Sequence, residues 1–428
     1  MPGVIETARA IFDAAVAAVE PGRLVREAVA RFTVEWQREI ANASRVIVVG
    51  AGKATAAMAA ALEDSIGRPI VGLVNVPDGV TAATTGIKLH FARPAGSNHP
   101  TQAGVDGAMA MVKLLADAGP DDVAIALISG GGSALLPCPA DGVSLADKQT
   151  VTKQLHASGA TIGEMNCVRK HLSAVKGGRL AQAFRGKRLI TLVISDVVGD
   201  PLDVIASGPT VPDPTTFAEA RAVLANYAIA APDGVVRHLE RAESETPKSL
   251  PDHCHTLVIG SNATALDAAA KRASERGFRV IDLGPFVQGE TITVANVVAD
   301  VARNVRQRGP RQACLLLGGE TTVTLGPNPG RGGRNQEFVL AMMARLGRAG
   351  FAGITACSAG TDGEDGPTDA AGAIATQATF DRANDFGLSI EDFLKRHDAY
   401  SFFEQTGGLL KTGLTGTNVM DVRVVLID

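Results

Sequence analysis

Apolar residues fall into two rhythms along this chain. Short, nearly unbroken apolar runs occur at Arg45–Gly50 (RVIVVG), Ile70–Asn75 (IVGLVN), Ile87–Phe91, Val123–Ser129 (VAIALIS) and Leu189–Ser195 (LITLVIS). Runs of this length, rich in β-branched residues and without polar alternation, predict strands buried on both faces. Between them, at 54–64, 101–117, 144–157 and 161–173, apolar positions return at helical spacing. A second series follows, with strands at 256–260, 279–283, 313–317, 354–358 and 421–427 and helices at 262–276, 291–308 and 335–346. Residues 4–42 also carry helical spacing, broken at Pro21-Gly22, and predict two helices. Regular alternation of strand and helix predicts the α/β class with doubly wound sheets. The polar stretch ERAESETPKSLPD at 240–252 reads as a linker between domains at 1–245 and 250–428. The helices of 1–42 can pack on the second domain, which would then be discontinuous.

Composition narrows the picture. With 428 residues the chain is too long for one ordinary core, and 46% hydrophobic residues supply enough apolar surface for two. The 47 glycines and 4% aromatic content suit many strand-to-helix turns. Lys+Arg 41 against Asp+Glu 45 leaves a net charge of -4 with no basic run, which argues against a nucleic-acid partner. Five scattered cysteines (Cys138, Cys167, Cys254, Cys314, Cys357) form no CxxC pair, which argues for buried thiols in a reducing compartment and against structural zinc. There is no long apolar stretch and no signal-peptide pattern at the start, so no membrane association and a cytoplasmic location are expected.

Candidate chemistry gathers where strands end. The run VAIALIS closes in Ser129-Gly130-Gly131-Gly132-Ser133, a glycine-rich turn that lets backbone donors approach an anion, with Ser133 able to add a hydroxyl; a tight surface turn would read the same. Strand 45–50 ends in Gly50-Ala51-Gly52-Lys53. This is not a phosphate-binding P-loop, because Ile47 and Ala54 stand where Gly and Ser/Thr belong. Nor is it a dinucleotide fingerprint, since Thr55 replaces the third glycine and the second strand ends in Asn75 rather than an acid. What remains is Lys53 at the mouth of a parallel sheet, placed to meet an anion or only water.

Asp196 follows the strand LITLVIS and is a candidate Mg²⁺ ligand or a cap for the next segment; Asp200 is a weaker candidate. Gly318-Gly319-Glu320-Thr321 leaves another strand, and Gly332-Gly333-Arg334-Asn335-Gln336-Glu337 opens a helix. An arginine at a helix N-terminus is electrostatically misplaced unless an anion is near, which points to Arg334 as a carboxylate or phosphate fork. The loop 358–369 contains Asp362, Glu364, Asp365 and Asp369. It does not follow the EF-hand pattern, but it offers hard oxygen ligands suited to Mg²⁺, or else is a polar turn. The basic run Arg169, Lys170, His171, Lys176, Arg179 could line the same cleft, but a charged run is more often a solvated helix face, and it is left outside the site. His171 and His99 have no partner visible in the sequence, so no catalytic or metal triad is indicated.

These motifs in series resemble the class II glycerate 2-kinases of the glycerate kinase/MOFRL family. The resemblance runs through GAGKA (50–54), SGGGS (129–133), VRKHLSAVKGGRLA (168–181), SDVVGDPLDVIASGP (195–209), GGET (318–321), GGRNQE (332–337), SAGTDGEDGPTDAAGA (358–373) and TGTNV (415–419). Leu414 departs from the proline usual before TGTN. The resemblance implies two Rossmann-like doubly wound domains with a cleft between them, and ATP- and Mg²⁺-dependent phosphorylation of D-glycerate to 2-phosphoglycerate. It also implies catalytic roles for Lys53 and Arg334. On the residues themselves, Ser129 to Ser133 are expected to bind the nucleotide, Gly130 to Ser133 touching the triphosphate, and Asp196 and Asp362 to hold Mg²⁺. The competing readings are an NAD(P)H-dependent hydroxypyruvate reductase, as some relatives are labelled, and a non-catalytic anion-binding protein. The defective fingerprint counts against the first and the clustered carboxylates against the second.

Overall fold

The computed structural model describes residues 3–97 and 99–428. The chain forms two compact units, both discontinuous in sequence. One consists of Pro21–Ser195 and Asp200–Ile259, the other of the chain up to Glu20 with Asp196–Gly199 and Gly260–Asp428.

The first of these units is built on six strands: β1 (Val46–Ala51), β2 (Ile70–Pro77), β3 (Ile87–Arg93), β4 (Val123–Ile128), β5 (Arg188–Ile194) and β6 (Cys254–Gly260). Their order is β3-β2-β1-β4-β5-β6. The pairings from β3 through β5 are all parallel, with Val46 opposite Ile70 on one side and Val123 on the other. Both β1 and β4 are buried along their whole length, which is why their sequences are unbroken apolar runs. The direction of winding reverses between β1 and β4, and in open α/β sheets ligands bind beyond the C-terminal strand ends at that reversal. A second apolar cluster, around Val151, Leu155, Val168, Phe217 and Leu224, holds four helices together: Leu145–Ser158, Ile162–His171, Phe217–Asn226 and Asp233–Arg241. Residues 240–252 run on from the last of these. Glu245 accepts the amide of Phe217 (2.9 Å) and lies 2.8 Å from His171 Nε2, and Asp213 N donates to the Pro247 carbonyl (3.0 Å).

Three helices, not the expected two, occupy the first forty residues: Val4–Ala18, Pro21–Ala30 and Val34–Asn42. The extra break falls where Thr33 accepts the Trp36 amide (3.2 Å) and starts a new helix as its N-cap. The first helix belongs to the other unit, where it packs on helix Asn262–Glu275 and carries Ile11 and Phe12, both wholly buried. Burying such a phenylalanine contributes about 1.5–3 kcal/mol.

That unit carries β7 (Arg279–Asp282), β8 (Val287–Glu290), β9 (Ala313–Thr322), β10 (Ile354–Gly360), β11 (Gly372–Ala375), β12 (Leu409–Leu410) and β13 (Asp421–Ile427). The order is β12-β11-β10-β13-β9-β7, with β8 beside β9. It is a mixed sheet: β7 and β8 run parallel to β9, while β13 lies antiparallel to both β9 and β10, and β11 and β12 continue antiparallel. The α/β class holds, but strand direction here departs from a purely parallel series, because the last strand of the chain inserts between β9 and β10. Helix Arg334–Gly350 lies in the core through Phe338, Val339, Met342 and Met343. Cys254 is only half-buried, whereas the other four cysteines are buried as expected, and all five are free thiols. No helix among the described residues is long and apolar enough to cross a membrane.

Candidate functional site

At the β1/β4 reversal two loops lock together. Lys53 N donates to the Gly130 carbonyl (2.9 Å), and Ser129 N donates to the Ala51 carbonyl (3.2 Å). Ser129 is 1% exposed; its hydroxyl accepts the Ala54 amide (3.1 Å) and lies 3.3 Å from Thr55 Oγ1. The Ser129 hydroxyl thus braces the lysine turn from within. Gly131 has φ +77°, and a Cβ there would stand 3.2 Å from Arg93 Nη2 and 3.5 Å from Lys53 Cγ. Glycine at this position thus keeps a buried arginine and the exposed Lys53 side chain beside the loop.

Ser133 makes the most contacts of the loop. Its hydroxyl lies 2.9 Å from Ser207 Oγ, accepts from Lys176 Nζ at 2.7 Å, and also accepts from Arg169 Nη2. Lys176 Nζ reaches the Ser133 carbonyl as well (2.9 Å). Arg169 and Lys176 come from the run that reads in sequence as a solvated face, yet Lys176 is 2% exposed and Arg169 half-buried. Burial lowers the pKa of both, and their mutual repulsion lowers that of Lys176 further.

In the other unit, helix Arg334–Gly350 starts over the carboxylate of Asp365, which accepts the amides of Asn335 (3.0 Å) and Gln336 (2.8 Å). Any Cβ on Gly333 would stand 2.3 Å from that carboxylate, so the position requires glycine. Burial pushes Asp365 up to about 7 even though those amides stabilise its charge. Arg334 Nε and Nη2 form a fork on Asp421 (2.8 and 3.0 Å), while Nη1 meets Glu320 (2.7 Å). Burial opposes the charge on Arg334, but Asp421 and Glu320 outweigh it and raise its pKa. Asp421 is fully buried and also accepts from Arg423 Nη2 (3.0 Å) and Asn335 Nδ2 (2.9 Å). The anion demanded by an arginine at this helix start is thus present within the protein.

The four acids of 358–369 do not converge. Asp365 caps the helix; Asp369 accepts from Tyr400 (2.7 Å) and pairs with Lys411 (2.8 Å); Glu364 is exposed. Asp362 is half-buried, its Oδ1 accepting the Glu364 amide (3.1 Å). Asp196, also half-buried, belongs to the same unit as Asp362. Among the described residues no group of three or more His, Cys, Asp or Glu side chains is placed to hold a metal.

Comparison with known proteins bears on this geometry. A family model described as a domain of unknown function (DUF4147) matches residues 7–240, and the MOFRL family model matches residues 313–421. A Pyrococcus horikoshii glycerate 2-kinase is 37% identical over 96% of this chain and 95% of its own. The crystal structure of a glycerate kinase from Thermotoga maritima superimposes with a TM-score of 0.89 at 37% identity, covering 99% of each chain. The chain belongs to the glycerate kinase family. An Agrobacterium vitis protein with a provisional hydroxypyruvate reductase name is 42% identical over 98% of this chain and 93% of its own.

For a chain of the glycerate kinase family, the structure sorts the expected residues into three groups. Lys53 and Gly130 to Ser133 are brought together at one sheet reversal. Ser129 and Asp365 serve the protein's own backbone. Arg334, Asp362 and Asp196 belong to the other unit. Sequence reasoning weighed the run holding Arg169 and Lys176 and left it outside the site; the structure places both against Ser133 of the glycine loop.

Proposed function

We propose that this protein is a glycerate 2-kinase, transferring the γ-phosphoryl group of ATP, with Mg²⁺, to the 2-hydroxyl of D-glycerate to give 2-phosphoglycerate. The observation that carries the reading is the direct bond between the lysine turn and the glycine loop, Lys53 N to Gly130 O at 2.9 Å, at the crevice end of a doubly wound sheet. A new bond forms between the 2-hydroxyl oxygen and the γ-phosphorus as the bridge to the β-phosphate breaks and the hydroxyl proton leaves. Such transfer depends on positioning and charge neutralisation rather than covalent catalysis, which suits a lysine, backbone donors and few carboxylates.

Lys53, exposed and flanking Gly131, would bear on the transferring phosphoryl oxygens. Gly130 to Ser133 would receive the triphosphate. Arg334 is already oriented by Asp421; its Nη1 edge, paired with the 45% exposed Glu320, is the edge a substrate oxyanion would take over. Asp196 and Asp362 would hold Mg²⁺. Carboxylates are the ligand type that ion takes, one or two at a time, with water and phosphate oxygens completing its shell. When bound, the ion neutralises charge on the β- and γ-phosphates.

The reductase reading is supported by the name carried by two A. vitis relatives. Against it, Thr55 fills the place of the fingerprint's third glycine and is itself fully buried against Ser129. A two-channel assay separates them: ADP release with D-glycerate and MgATP, and NADH consumption with hydroxypyruvate. ADP release alone is expected; NADH loss without ADP overturns the kinase reading.

A further inference from the structure

Three buried lysines lie in the helical half of the unit that holds the glycine loop, and they are neutralised differently. Lys170, 2% exposed, has the usual arrangement of two carboxylates, Asp203 at 3.0 Å and Asp213 at 3.2 Å. Lys176 and Lys148, 2% and 8% exposed, have none. Lys176 Nζ contacts only neutral oxygens: the Ser133 hydroxyl and carbonyl, and more distantly the Ala206 carbonyl and Ser207 hydroxyl (both 3.4 Å). Lys148 Nζ has the Cys138 carbonyl at 3.4 Å. Arg169, which lies between them in sequence, touches Ser133 and Asn166 Oδ1 (3.4 Å). No ion pair joins Lys148, Arg169 or Lys176 to a carboxylate among the described residues.

Burying a charge costs several kcal/mol unless it is paired, so three like charges converging without a counterion is an arrangement that a protein's own stability disfavours. Their repulsion registers in the lysines: Lys148 is drawn down to about 7 by burial and by Arg169, and Lys176 by burial, Arg169 and Lys148. The backbone facing them is strained as well. Ala206 and Ser207 are consecutive non-glycine residues with φ +51° and +63°, a conformation that side chains disfavour. This strain directs the Ser207 hydroxyl to Ser133 (2.9 Å) and to Asn166 Oδ1 (3.2 Å). Cations without acids and a strained segment thus meet at one serine of the glycine loop.

We infer that Arg169 and Lys176, gathered on Ser133 and Ser207 with Lys148 behind them, form a built oxyanion site of this protein that takes a carboxylate or phosphate group. The site deepens the kinase reading and rests on it for which molecule carries that oxyanion: the carboxylate of D-glycerate or a phosphate of the nucleotide. The oxyanion displaces no protein partner. It supplies the counterion that Asp203 and Asp213 supply to Lys170.

The test is direct binding by calorimetry, with D-glycerate in one arm and ADP in the other, on the wild-type protein, Lys176→Met and Arg169→Gln. Methionine fills the lysine's volume without its charge, so Lys176→Met should fold, as checked by circular dichroism; Arg169→Gln keeps a polar contact to Ser133 and gives a second route if it does not. Losing one charge-assisted contact should weaken one ligand by roughly 10- to 100-fold while the other changes little. Loss in the D-glycerate arm assigns the carboxylate, and loss in the ADP arm a phosphate. Unchanged binding in both arms, or equal loss in both, overturns the proposal, since the cations would then only shape the loop. Binding that depends on these residues in a protein that releases no ADP would leave the site standing and remove the kinase reading.

Discussion

Replacing Arg334 should separate support of the fold from chemistry. Arg334→Ala removes a two-pronged contact (2.8 and 3.0 Å) from Asp421, a carboxylate with no solvent exposure. Breaking a buried pair from one side typically costs about 3–5 kcal/mol. Two features reduce that here. The Arg334 side chain is 33% exposed, and Asp421 keeps Arg423 Nη2 at 3.0 Å and Asn335 Nδ2 at 2.9 Å. A loss of about 2 kcal/mol follows, or a fall in melting temperature of about 4–8 °C for a unit of this size. Arg334→Lys restores a charge but not the planar fork, and should recover less than half of the loss. If Arg334 also contacts substrate, kcat/KM measured well below the melting transition should fall roughly 10²- to 10³-fold in the alanine variant. The assay pairs urea denaturation with steady-state kinetics on both variants. An unchanged denaturation midpoint would refute the supporting role assigned to the Asp421 pair; a lowered midpoint with wild-type kcat/KM would confine Arg334 to that role.

Lys53→Ala, by contrast, removes an exposed side chain, so its melting curve should match the wild type while kcat/KM falls roughly 10²- to 10³-fold; a wild-type kcat/KM removes Lys53 from the site. Asp362→Asn should shift the Mg²⁺ dependence of ADP release to higher concentration with little change in KM for D-glycerate, and an unaltered Mg²⁺ titration contradicts its assignment. Lys148 titrates at about 7 in the fold and near 10.4 when unfolded, so between those values the unfolded state holds a proton that the folded state lacks, and stability rises with pH. Lys148→Met should therefore gain most over the wild type near pH 6 and least near pH 9 in urea midpoints; a gap that does not change with pH contradicts the buried charge.

Strands such as Val46–Val49 and Val123–Ile128 can be read from sequence because burial on two faces leaves no alternative to a continuous apolar run, whereas the short strands β8, β11 and β12 escape that pattern. Direction cannot: nothing in DVRVVLI says that β13 lies antiparallel between β9 and β10. The same limit governs the candidate site. Electrostatics correctly demand an anion beside Arg334, but that anion is Asp421, 87 positions further on. Ser129 reads as part of an anion nest, and only the fold shows that Ala54, 75 positions earlier, places its amide on the hydroxyl. Arg169 and Lys176 share a basic run with Lys170 and Arg179, and only tertiary packing decides that Lys176 is buried on Ser133 while Arg179 reaches Ser244. Helices Phe217–Asn226 and Asp233–Arg241 escape the apolar pattern because each buries a narrow face of few residues, Val235 and Leu239 in the second.

The most direct test of the assigned chemistry is the identity of the phosphorylated product. Purified protein incubated with D-glycerate, ATP and Mg²⁺, followed by phosphorus NMR with proton coupling, should show one new monoester whose phosphorus couples to a single proton, that on C2, as in 2-phosphoglycerate. A phosphorus coupled to two protons marks 3-phosphoglycerate and contradicts the regiochemistry; no new monoester at all contradicts the kinase assignment.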